Sequence, residues 1–139
     1  MRSHQVRLIL GYVDGCRPVR VLLVDDDARV REGLAHTMAL EADLVVVAEA
    51  TEAVAALALA ELADPSVALV DVLLPDSTSG LALVTSLAQR PGCVVVAMSV
   101  RGSLRAAAMA AGSVVFVEKD GDIDAMLDAV RAAETSRGF

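Results

Sequence analysis

A chain of 139 residues is the length of one domain, and its 19 acidic against 12 basic side chains give a net charge of −7. That balance argues against gripping nucleic acid by general electrostatics, which needs clustered lysine and arginine, and favours divalent cations or a basic protein partner. Hydrophobic residues reach 55% but aromatics only 2%, so a substantial core is available and must be built from Val, Leu, Ala and Met.

Residues 1–18 read as an N-terminal tail. "VRLILGYV" (6–13) is apolar but short, contains Arg7, and runs into "DGCRP" without the small-residue pattern of a signal cleavage site. "VRVLLV" (19–24) is continuous and β-branched, as in a strand buried on both faces. Residues 28–41 place Val30, Leu34 and Met38 at helical spacing, with Asp27 as the N-cap. "LVVVAEA" (44–50) is a second strand and "TEAVAALALAEL" (51–62) a second helix, stopped by "ADPS". "VALV" (67–70) is a third strand, with a third helix over roughly 80–90. "CVVVAM" (93–98) is a fourth strand, "SLRAAAMAA" (103–111) a helix ended by Gly112, and "VVFV" (114–117) a fifth strand. Residues 122–134 set Ile123, Met126, Leu127 and Val130 on one face of a last helix, and 136–139 are left as a C-terminal tail.

Continuous apolar strands alternating with helices predict one α/β domain over 19–135, with a parallel sheet covered on both sides. No apolar run nears the roughly 18 residues that span a bilayer, so no membrane association is expected. Cys16 and Cys93 have no metal-site or disulfide spacing, which suits reduced thiols and a cytoplasmic location.

Ligands of such sheets bind beyond the carboxyl ends of the strands. Asp25 and Asp26 follow strand one, Asp71 strand three, Ser99 strand four and Lys119 strand five, so all fall on one edge. Singly, each has a plainer explanation: a helix cap, a turn hydroxyl, a solvated charge. Together they form a chemical set. Three adjacent carboxylates repel one another, and Mg²⁺ with its preference for oxygen ligands relieves that repulsion. A lysine can pair with a carboxylate or a phosphoryl oxygen, and a hydroxyl can bind a further oxygen. Phosphoryl transfer to a carboxylate needs these parts.

The residues resemble the receiver domain of two-component response regulators. "VLLVDDD" (21–27) is similar to the family's acidic pair at Asp25 and Asp26, and "LVDVLLP" (69–75) to its phosphoacceptor segment, with Pro75 four residues after Asp71. "VVVAMSV" (94–100) puts Ser99 at the switch hydroxyl, and "FVEKD" (116–120) puts Lys119 at the invariant lysine and Phe116 at the aromatic switch. The resemblance implies a doubly wound (βα)5 flavodoxin-like fold with strand order 2-1-3-4-5. It implies phosphorylation of Asp71 by a sensor histidine kinase. Asp26, Asp71 and the Leu73 carbonyl would ligate Mg²⁺, and Asp25 would hold a metal-bound water. It also implies self-catalysed phosphorylation from small phosphodonors and self-catalysed dephosphorylation. Ser99 and Phe116 would then remodel the face of the fourth helix, fifth strand and fifth helix, which is also the candidate homodimer surface.

Three departures stand out. Gly80 comes five residues after Pro75 where the family usually has four, so "DSTS" reads as a loop one residue longer. The bulkier Val100 follows Ser99 where a small residue is usual, and could gate the site. Asp120 follows Lys119 where many receivers have proline; the Lys-Asp pair is similar to receivers of LuxR-type helix-turn-helix regulators, whose output is transcription. No direct nucleic-acid binding is expected of this chain. Two rival readings remain. A haloacid-dehalogenase-like phosphatase would use Asp25 as nucleophile, with "VDDDAR" as its D-x-D and "GDID" (121–124) as its last acidic motif, although "GDID" also reads as a helix cap. A pseudo-receiver would bind partners without being phosphorylated.

Overall fold

Five strands line up side by side because each is apolar on both faces and can be covered only by helices. In the computed structural model, which describes residues 17–137, they are β1 (Val19–Val24), β2 (Leu44–Ala50), β3 (Val67–Asp71), β4 (Val94–Ser99) and β5 (Val115–Glu118). They form one parallel sheet in the order β2-β1-β3-β4-β5. The helices are α1 (Ala28–Ala39), α2 (Ala53–Ala63), α3 (Ser77–Ala88), α4 (Arg105–Ala111), entered through a 3₁₀ turn at Gly102–Leu104, and α5 (Ile123–Arg137). This is the doubly wound (βα)5 arrangement expected from the sequence. Residues 1–16 of the tail assigned to 1–18, with the "VRLILGYV" segment and Cys16, lie outside the described residues, as do residues 138 and 139.

The strand period of two divides the core. Val21, Leu23, Val67, Leu69, Val96 and Met98 face one side, where Leu34 and Met38 of α1 and Met126, Leu127 and Val130 of α5 cover them. Leu22, Val24, Ala68, Val70 and Val95 face the other, under Ala56 and Ala60 of α2 and Leu83, Val84 and Leu87 of α3. Alanines on α2 let that helix lie close, so a core almost without aromatics still leaves these strand residues fully buried. Phe116 closes a smaller cluster with Val72, Ala97 and Ala108 under α4.

The third helix corrects the sequence reading. It begins at Ser77, because Asp76 caps it by accepting from the Ser79 amide at 2.9 Å. "DSTS" is therefore a cap and first turn, and not an extended loop. Gly80 lies inside α3, where a Cβ would run into the Val72 main-chain carbonyl. The first helix ends at Ala39, short of 41, and the last runs to Arg137, past 134 and into the tail assigned to 136–139. Cys93 is a buried free thiol that burial pushes up to about 11. Among the described residues no helix is long and apolar enough to cross a membrane.

Candidate functional site

Register places the acids. Val24 of β1 pairs with Val70 of β3, so the next residues, Asp25 and Asp71, leave neighbouring strands together on the face that carries Leu23 and Leu69. β1 ends there because Asp25 turns on itself: its Oδ1 accepts from the Asp27 amide at 2.8 Å, and its own amide donates to the Ala50 carbonyl at 3.1 Å. Asp27 then caps α1, its Oδ1 accepting from the amides of Arg29 and Val30. Asp71 makes the same turn, accepting on Oδ1 from the Leu73 amide at 3.0 Å.

Lys119 arrives from β5, held by its amide on the Ser99 carbonyl at 2.8 Å. Its Nζ stands 2.7 Å from Asp25 Oδ2 and 2.9 Å from Asp71 Oδ2, bridging the two acids. Burial alone would pull this ammonium down, but the hydrogen bonds it donates to Asp25 and Asp71, and their charges, outweigh it and hold Lys119 above its ordinary value. Asp25 is fully buried, and burial pushes its carboxyl up against the pull of Lys119 and the Asp27 amide. Asp71 is 5% exposed and Asp26 is open to solvent.

The structure thus brings together Asp25, Asp26, Asp71 and Lys119. Each acid offers an oxygen, and these oxygens lie within 4.8 Å of one another. Asp25 Oδ2 is buried with the Lys119 ammonium at 2.7 Å as its ion-pair partner and no further donor among the described residues, so it keeps acceptor capacity beside two other carboxylates. An all-oxygen donor set with that spare acceptor fits a hard divalent cation.

Ser99 is the last residue of β4 and fully buried; its hydroxyl accepts from the Arg101 amide at 3.0 Å and so retains its own proton to donate. Phe116 already points inward, with the Arg105 guanidinium 5.0 Å over its ring. Val100 is 64% exposed and edges a cleft of about 510 Å³ shared with Asp27, Arg29, Lys119 and Ile123. Sequence reasoning missed Arg31, whose Nη1 donates to the Asp25 main-chain carbonyl at 2.8 Å; its place beside Val30 gave no pattern to find it by. The geometry disfavours a phosphatase built on Asp25, a carboxylate sealed beneath Lys119. Asp122 of "GDID" instead accepts from the Ala125 amide at the start of α5.

The response regulator receiver domain family matches residues 21–131. The chain is 35% identical over 105 residues to the DNA-binding transcriptional activator DevR/DosR of Mycobacterium tuberculosis, covering 73% of this chain and 48% of that protein. It is 33% identical over 117 residues to the transcriptional regulatory protein UhpA of Salmonella typhimurium, covering 84% of this chain and 59% of that one. The signal receiver domain of the response regulator NarL from Mycobacterium tuberculosis matches with a TM-score of 0.74 at 30% identity, over 87% of this chain and 99% of that one. The chain spans about half the length of these two curated relatives.

Proposed function

Because the chain belongs to the response regulator receiver domain family of two-component signalling, we propose that Asp71 is its phosphoacceptor. The observation that carries this is the Lys119 bridge between Asp25 and Asp71 beside the open Asp26 carboxylate. Receiver domains of response regulators are phosphorylated by histidine kinases, and a sensor histidine kinase is the donor in this reading. A carboxylate oxygen of Asp71 attacks phosphorus in line while the phosphorus–nitrogen bond of phosphohistidine breaks and the imidazole leaves. Lys119 neutralises charge gathering on the phosphoryl oxygens, and the Leu73 amide holds the Asp71 carboxylate in orientation.

Asp26, Asp71 and the Leu73 carbonyl would hold Mg²⁺, with Asp25 binding one of its waters. When bound, Mg²⁺ screens the carboxylates and the developing phosphoryl charge. The phosphoryl group adds about −1.5 to −2 charge and three acceptor oxygens. Ser99 donates its free proton to one of them, drawing the end of β4 inward. Phe116 packs with Ala97, two residues earlier on the same strand, so the movement reaches the face of α4, β5 and α5, which serves as output and candidate homodimer surface. Self-catalysed phosphorylation from small donors and self-catalysed dephosphorylation belong to the same reading. It implies a cytoplasmic location, and the relatives named above support control of transcription as the output.

Asp71→Asn is expected to abolish labelling by acetyl phosphate, read by intact mass, with the circular dichroism spectrum unchanged. Beryllofluoride trapping separates the readings: an adduct on Asp71 supports this one, whereas an adduct on Asp25 or none at all overturns it.

A further inference from the structure

The peptide joining Asp25 to Asp26 governs the site, since its orientation decides where both carboxylates stand relative to Asp71. The Asp25 main chain is held on both flanking peptides, the one before it through its amide and the one after it through its carbonyl. The Asp25 amide donates to the Ala50 carbonyl of β2 at 3.1 Å. The Asp25 carbonyl accepts from Arg31 Nη1 at 2.8 Å, and Nε of the same guanidinium pairs with Glu49 Oε1 at 3.2 Å. Glu49 lies on β2 in register with Leu23, so the far end of the clamp is anchored in the sheet. The Arg31 side chain is only 17% exposed.

Its placement runs against helix electrostatics. Arg31 closes the first turn of α1, where its amide makes the helical bond to the Asp27 carbonyl, and that turn holds no acidic residue. A cation there is disfavoured by the helix dipole. The position therefore needs a reason of its own, and a planar fork spanning a carbonyl and a carboxylate supplies it. A lysine, with one compact ammonium, cannot make both contacts in that geometry.

We propose that Arg31 is a positioning residue of the acidic site: by fixing the Asp25 carbonyl it orients the Asp25–Asp26 carboxylates for a divalent cation, an inference that rests on the reading of the Asp71 site above. A guanidinium near three carboxylates could instead matter only through its charge, and the two roles predict opposite signs. Loss of a nearby positive charge tightens cation binding; loss of a clamp loosens it.

The test is calorimetric titration of Mg²⁺ into the unphosphorylated full chain, comparing wild type with Arg31→Lys and Arg31→Gln, each checked for folding by circular dichroism in EDTA. Both variants are expected to bind Mg²⁺ roughly ten- to a hundredfold more weakly, the usual cost of losing a residue that holds a ligand in place. Unchanged affinity in Arg31→Lys, or tighter binding in Arg31→Gln, overturns the proposal. If the Arg31 variants do not fold, Glu49→Ala carries the test, because it removes the acceptor at the anchored end of the fork while leaving Arg31 in place. Weaker binding then supports the clamp and unchanged binding overturns it. A wild type that binds no Mg²⁺ ends both this inference and the reading of the site, whereas equal binding by wild type and variants ends this inference alone.

Discussion

Asp25 and Asp71 are held alike, each by an amide two residues on and by Lys119, and differ in what can reach them. Asp25 is fully buried and Asp71 is 5% exposed, and Lys119, the partner of Asp71, lines a cleft that Val100 also lines. A β-branched side chain there is stiff, and hydrolysis of an aspartyl phosphate needs water on the line opposite the leaving oxygen. Val100→Ala is therefore expected to shorten the phosphoryl half-life, measured by loss of labelled phosphate at fixed Mg²⁺. A half-life that stays the same or lengthens would remove Val100 as a gate. The acids and the lysine were legible in the sequence because a charged residue directly after an apolar strand has one place to go. The hydroxyl of Ser99 on the Arg101 amide, the inward Phe116 and the reach of Arg31 to a carbonyl were not, since all three are choices of rotamer that no spacing encodes.

Strands were easier to read than helix ends. β1 and β2 fall where the apolar runs fall, because Arg20 and Glu49 are the one charged residue in each and leave the runs readable. The start of α3 was misread because Ser77, Thr78 and Ser79 look like a loop, while the cap that makes them helical is the single carboxylate of Asp76. Gly80 sits where α3 crosses the chain just after Asp71, so Gly80→Ala is expected to destabilise the fold by about 1–3 kcal/mol or more through overpacking. Urea unfolding checks it, and an unchanged midpoint would mean that the helix can shift off Val72. α5 is tied to the turn before β2 by Arg131, whose Nε and Nη2 meet Asp43 at 2.7 and 2.9 Å. The Arg131 hydrogen bond holds the Asp43 carboxyl below its ordinary 3.8, so its contribution is present above that value and lost as pH falls through the folded one. Asp43→Asn should lower the melting midpoint at pH 7 by a margin worth under about 1 kcal/mol, since the pair is half-exposed and screened. That margin should close in acid below the ordinary value; a gap that persists there would assign the effect to packing.

Across the whole molecule, the sheet order brings acids from two adjacent strands into one electrostatic problem. Burial raises the Asp25 carboxyl, so the fold holds that proton more tightly than the unfolded chain does. Stability then falls as pH rises from the unfolded value through the folded one, and above it the loss is complete. Replacing Asp25 and Asp26 together by asparagine is expected to raise the melting midpoint in EDTA at neutral pH and to abolish the response to Mg²⁺. Wild type should instead gain about 2.7 kcal/mol when Mg²⁺ is a hundredfold above its dissociation constant. A variant that is still stabilised by Mg²⁺ in differential scanning calorimetry would move the metal elsewhere. The Lys119 bridge also has a consequence in time. Lys119 lies 48 residues beyond Asp71, and during synthesis at about 5–20 residues per second it follows several seconds later. Until β5 has emerged from the ribosome and docked, Asp71 lacks Lys119, and on the proposed reading a half-made chain carries the acceptor without the means to be charged. Competence to receive a signal is then a report that the last strand has closed.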